Sequence, residues 1–243
     1  MAFGNFIDKT REIPLSQTYG QVKPLLKWVY AWMLIGLLVT TFTATFTAST
    51  PALVELTLNP IVAIGAFVVQ IGLVIALSAM INRLSPAAAA IMFLVYAATL
   101  GFSLSLVLLV FNLGSLAAAF GTTAILFGIM TIIGFTTDID LSRFGNLLLM
   151  AVIGLVIAMI VNMLIGSSIL TMIISFVGVL IFMGLTAYDT QNIKRMAAAP
   201  EIQEDQSMMA KYAIYGALSL YILSLIHISE PTRLRRISYA VFC

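Results

Sequence analysis

An all-α membrane protein is the fold class predicted by this 243-residue sequence. Three observations predict it. The chain is 61% hydrophobic and only 9% charged, with a mean hydropathy of +1.09. Soluble domains run near roughly 45–50% apolar and about 25% charged, and a soluble fold of this size could not bury so much apolar surface. The apolar residues also fall in segments of about 20, the length of a membrane-crossing helix. Finally, these segments lack the alternating polarity over about 10 residues that barrel strands show.

Taken in order, the helices are predicted at 25–48, 60–82, 87–110, 116–136, 146–166 and 169–188, with a seventh starting at Tyr212. Residues known to interrupt helices separate them: Pro51, Asn59-Pro60, Ser85-Pro86, the stretch from Asn112 to Ser115, Gly145-Asn146, and Gly166 to Ser168. Small residues such as Gly65, Gly72, Gly178 and Gly184 permit close helix approach and identify no function. The first apolar segment is too long for a signal-peptide core and reads as a retained anchor.

Charge placement sets an expected orientation. Lys9, Arg11, Lys23 and Lys27 precede the first helix. Arg83 follows the second, Arg143 follows the fourth, and Lys194, Arg195 and Lys211 follow the sixth. The connections at 49–59, 111–115 and 166–168 carry no Lys or Arg. The positive-inside bias therefore expects a cytoplasmic N-terminus. A net charge of +2 is too small to argue for nucleic acid, so the expected partner is the lipid bilayer.

The last stretch differs in kind. "LSLIHISEPTRLRRISYAVFC", from Leu223, holds the single His227 and the single Cys243. It resembles a translated sequencing-library adapter, with Leu234 to Arg236 in the place of a short index. The expected organisation is a cytoplasmic tail at 1–24, a transmembrane domain at 25–222 and a non-native, adapter-derived tail at 223–243. His227 and Cys243 are accordingly not offered as ligand, switch or nucleophile. A lone cysteine also permits no internal disulfide.

Three segments of the remainder carry a resemblance. "INRLSPAAAAIMFLVYAATLGFSLS" covers 81–105 and "GFTTDIDLSRFGNLLLMAVIGLVIAMIVN" covers 134–162. "GLTAYDTQNIKRM" at 184–196 is followed by "YGALSLY" at 215–221. In order and spacing they resemble the Bax-inhibitor family of transmembrane proteins, the "AYDTQ" segment most specifically. The resemblance implies a seven-helix transmembrane bundle with the last helix central, here truncated at Ile222. It also implies a pH-sensitive calcium leak, and a compact chain of this kind suits a bacterial inner membrane.

Asp189 is the candidate gating residue. It follows twenty charge-free residues, Ile169 to Tyr188. A charge at mid-bilayer costs about 2.5–3.5 kcal/mol on insertion scales, and such residues usually face a cavity or a partner. As a hard oxygen ligand it could contact calcium, the expected transported ion rather than a cofactor. The bland reading is a helix-end residue bonding to backbone or to Lys194. Arg83 is either a positive-inside anchor or, as the resemblance implies, a gate partner. Asp138 and Asp140 read as solvated loop residues, and "EIQEDQ" from Glu201 as a wet acidic loop.

One departure from the family pattern bears on pH. The resemblance expects a second carboxylate on the last helix, at position 223, where this chain has Leu223. Two close carboxylates can share a proton and so act as a switch; Asp189 alone lacks that coupling.

An enzyme is not expected. No His-Glu-x-x-His segment or P-loop is present, and no nucleophile–base pair survives once His227 is set aside. The alternative to a channel is a non-conducting membrane regulator that binds membrane proteases or other membrane proteins.

Overall fold

The structure, a computed structural model, describes residues 23–111, 113–137 and 139–241. Lys9, Arg11, Asp138 and Cys243 lie outside them. The order is α1 Lys23–Ser49, α2 Pro51–Leu58, α3 Pro60–Met80, α4 Pro86–Val110, α5 Leu113–Thr136, a 3-10 turn Leu141–Phe144, α6 Gly145–Ile165, α7 Ser168–Ala198, α8 Pro200–Glu204 and α9 Gln206–Val241. No strand occurs among the described residues.

Local chemistry sets the starts and stops. Proline opens α2, α3, α4 and α8, where its missing N–H costs nothing. Asn59 Oδ1 accepts from Ile61 N at 3.0 Å, and Ser85 Oγ accepts from Ala88 N at 3.2 Å. Asp205 Oδ1 accepts from Ser207 N at 2.7 Å to cap α9. Gly166 ends α6 at φ 71°, a left-handed conformation that glycine adopts without strain.

Six helices are long and apolar enough to cross a membrane among the described residues: those containing 24–49, 60–80, 86–110, 116–136, 141–165 and 168–198. Their outward faces carry Phe42, Ile61, Phe67, Ile132, Met150 and Leu164, all exposed. Water would penalise such a surface and lipid does not, while the helices satisfy their own backbone groups. The chain is a multi-pass membrane protein. The seventh helix of the sequence-based count falls within α9, which is not among the six.

The chain forms two compact units, one of 23–113 with 193–221 and one of 114–192 with 222–241. In the first, α1 packs mainly on α4, and α4 also on α3. Its core gathers Val29, Phe93, Ala97, Tyr212, Ala217 and Tyr221. The Tyr221 ring meets Phe93 and Tyr96 edge-on, with centroids 5.6 and 5.9 Å away. Thr40 Oγ1 lies 2.9 Å from Gly36 O and 3.0 Å from Ala97 O. The Thr40 hydroxyl has one proton to give, and it also pairs with the Tyr221 hydroxyl, so Tyr221 acts as the donor. Residues 212–221 of the last helix are thus enclosed, with burial running through Leu223. The second unit has its own apolar cluster of Leu155, Ile174, Phe182 and Leu223.

Three boundaries differ from the sequence-based reading. The 49–59 connection contains the short helix α2. The last helix starts at Gln206 rather than Tyr212, and its backbone continues through the adapter-like residues to Val241. Most consequentially, α7 runs ten residues beyond Tyr188 to Ala198. From 189 to 198 the sequence has neither glycine nor proline, so nothing stops the helix where its hydropathy falls.

Candidate functional site

The site is built on α7 around Asp189. At about 1.5 Å per residue, 20 residues from Ser168 cover the roughly 30 Å hydrocarbon thickness. Asp189 therefore follows a stretch of α7 long enough to cross that thickness. It is not a helix end, because two to three further turns follow. Those turns are enclosed by protein: Thr190, Gln191 and Ile193 through Ala199 are buried, with Lys194 at 1% and Arg195 at 4% exposure. Asp189 itself is half-buried and takes part in a polar interaction. Lys194 and Arg195, which the sequence-based count puts after the sixth helix, lie instead in packed helix.

Each neighbour of Asp189 is fixed within the second unit. A side-chain atom added at Gly134 of α5 would collide with the Ala187 backbone, so α5 and α7 approach closely there. Tyr188 covers Gly145 at the start of α6: a Cβ at 145 would stand 2.7 Å from its hydroxyl oxygen. Thr186 Oγ1 donates to Phe182 O at 2.8 Å, and Thr190 Oγ1 to Thr186 O at 2.7 Å. Those hydroxyls have committed their protons, and their oxygens keep acceptor capacity.

Gln191 ties α7 to the 137–144 connection. Its Nε2 donates to Ile139 O at 2.8 Å, and its Oε1 accepts from Leu141 N at 2.8 Å. Both ends of the amide are used, which sequence reasoning missed because both partners are main-chain groups. Nearby, Asp140 Oδ1 accepts from Ser142 N at 3.0 Å and from Ser142 Oγ at 2.6 Å. Arg143 Nε stands 3.9 Å from Asp140 Oδ2, with both side chains partly in solvent. Asp140 is therefore a cap rather than a merely solvated acid. In the 199–205 connection, Ile202 is buried while Glu204 and Asp205 are exposed.

Arg83 occupies the turn between α3 and α4. Its side chain is exposed, and its backbone N donates to Met80 O at 2.8 Å. The adjacent Asn82 Oδ1 accepts from the hydroxyl of buried Tyr212 at 3.0 Å, pinning this turn to α9. Arg83 belongs to the first unit and Asp189 to the second. Position 223 carries a leucine in an apolar cluster. Among the described residues, no three His, Cys, Asp or Glu side chains gather as a metal-holding group.

Comparison with known proteins accords with this architecture. A family model described as an inhibitor of apoptosis-promoting Bax1 matches residues 22–228. The inner membrane protein YbhL of Escherichia coli K12 is 44% identical over 175 residues, covering 72% of this chain and 74% of that protein. An uncharacterized protein of Borreliella burgdorferi is 41% identical over 154 residues, 63% of this chain and 66% of its own. A Streptococcus pyogenes membrane protein is 37% identical over 171 residues, 70% and 72% of the two chains. With the matched region running through all six apolar helices and the Asp189 segment, the chain belongs to the Bax inhibitor family.

Proposed function

We propose that this protein is a pH-sensitive calcium leak of the Bax-inhibitor type, with Asp189 as the ion-contacting gate residue. The observation that carries the reading is a half-buried carboxylate, preceded on α7 by twenty charge-free residues, whose helix continues under protein rather than into water. Ionisable residues in such segments commonly face a cavity or an ion path. A single carboxylate suits an ion in transit, since a resident calcium takes about 6–8 oxygens.

The setting belongs to the same proposal: an inner membrane, as the name of the Escherichia coli relative states for that protein, with the N-terminus in the cytoplasm. The exposure of Arg83 supports its anchoring role, and flux through Arg83→Gln separates anchor from gate. The pH sensitivity needs a second carboxylate, which we assign to position 223 of a native tail replaced here by the adapter-like 223–243.

The test is calcium influx into liposomes against pH for three proteins: this chain, a chain whose residues from 223 are replaced by a family-like tail beginning with Asp, and that repaired chain carrying Asp189→Asn. The repaired chain should show pH-dependent flux. Asp189→Asn should lower it by about an order of magnitude, the factor carried by about 1.4 kcal/mol. Identical pH-dependent flux in the unrepaired chain would refute the paired-carboxylate account, and undiminished flux in Asp189→Asn would refute the gate. A non-conducting regulator would show no flux in any of the three.

A further inference from the structure

Three buried oxygens of the second unit have no hydrogen-bond partner among the described residues: Thr131 Oγ1, Asn162 Oδ1 and Ser175 Oγ. Ser175 is the plainest case, at 0% exposure. A helical serine or threonine can satisfy itself by donating to a carbonyl one turn back. Thr171, Thr186 and Thr190 do so on this same helix. Ser175 makes no such bond, so its proton and its lone pairs are both unspent. A buried polar group left this way lowers stability, and ordered water is the usual partner where protein supplies none.

The three atoms gather about one helix. Asn162 Nδ2 donates to Thr171 Oγ1 at 2.6 Å, bringing α6 against α7. Ser175 follows Thr171 by one turn, so the two are surface neighbours on α7. Thr131 stands about one turn from Gly134, where α5 closes on the Ala187 backbone. At about 3.6 residues per turn, Thr171, Ser175, Phe182 and Asp189 fall within about 40° of one another around α7. One face of this helix therefore carries both the unmet hydroxyl and the candidate gate acid. Phe182 is buried between them, in the apolar cluster with Leu155 and Ile174.

We propose that this face of α7 walls a water path through the second unit, running from the 166–168 turn past Asn162 and Ser175 toward Asp189. Water is the ligand of the three unmet oxygens, with Thr131 meeting it near the level of Ala187. Phe182 closes the path in the packing described. Neutral oxygens of this kind hydrogen-bond to the water around a cation and offer no charge to trap it. That the path serves calcium rests on the proposed leak; that water enters it does not.

Cysteine reactivity tests the path in the full chain, reconstituted in vesicles and carrying Cys243→Ser, which removes the single native cysteine. Ser175→Cys is compared with Phe176→Cys, and Thr131→Cys with Ile132→Cys. Phe176 and Ile132 are each 63% exposed, on the apolar surface that faces lipid. The probe is methanethiosulfonate ethylammonium, a small cation that attacks the thiolate. That form needs water around it, so each interior cysteine should react at least about tenfold faster than its exposed neighbour. No reaction at 175 and 131 would show permanently dry packing, and faster reaction at 176 and 132 would show that the probe follows exposure. Either result overturns the path, and the second pair decides should the first variant fail to fold. In the repaired chain, Ser175→Ala should lower calcium flux about fivefold, the factor of one hydrogen bond. It should leave the melting temperature unchanged or raised, because an unmet hydroxyl is gone. A lowered melting temperature with unchanged flux would make Ser175 a packing residue and remove it from the path. Absence of flux in the repaired chain itself would refute the leak alone, and the cysteine comparison would still decide the water path.

Discussion

Ala187, Tyr188, Thr190 and Gln191 show how a single acid is held in place by residues that do no chemistry themselves. The tightest of these contacts is the approach of Gly134 to the Ala187 backbone. Gly134→Ala leaves no flexible side chain to yield, so it should destabilise by about 1–3 kcal/mol through overpacking. Gly128, on the same helix, has open space around it, and Gly128→Ala should be neutral or slightly stabilising because alanine favours helix. Thermal unfolding in detergent checks the pair. Equal melting temperatures would show that α5 and α7 are not locked there. Asp189 was legible in the sequence because a charge after twenty charge-free residues is conspicuous. The burial of Lys194 and Arg195 was not, because a basic residue past an apolar run reads first as a topological signal. Tyr221 and Thr40 were equally hidden, since their pairing joins residues 181 positions apart.

At the scale of elements, the apolar spans were legible because hydropathy and helix chemistry agree at their boundaries. Asn59-Pro60 and Ser85-Pro86 each supply a cap and a first-turn proline. The agreement fails in α7, where hydropathy drops after Tyr188 while helix propensity persists. Pro200, the next residue unable to continue a helix, was the signal that placed the true end. If 190–198 is packed helix, Ala197→Pro should be costly: Ala197 is 1% exposed, and proline inside a helix costs about 3 kcal/mol. Were the segment a loop, the change would be nearly silent. The melting temperature and the protease resistance of the 190–205 region distinguish the two.

For the whole molecule, the distribution of Lys and Arg predicts the orientation, and the structure improves the test. A reporter cysteine at Lys194 would stay unreactive from either side because that position is buried. Exposed positions serve better: Ser49, Gly114 and Glu204, of which the charge distribution expects the first two outside and the third inside. In a Cys243→Ser background, Ser49→Cys and Gly114→Cys should react with an impermeant thiol reagent from outside intact cells, and Glu204→Cys only after lysis. The opposite pattern would invert the topology. The family assignment and the multi-pass character stand independently of that outcome, since both rest on the matched region and the apolar helices.

The Gln191 clasp has a consequence for how this region can diverge. The amide reads the carbonyl of 139 and the N–H of 141, groups that nearly every amino acid supplies. The lettering of the connection is therefore free to drift around the clasp, with proline at 141 barred because it lacks the N–H. Its length is not free. Inserting or deleting one residue between Gly134 and Gly145 would move those two groups out of register with α7. What is inherited at this point is a spacing rather than a spelling.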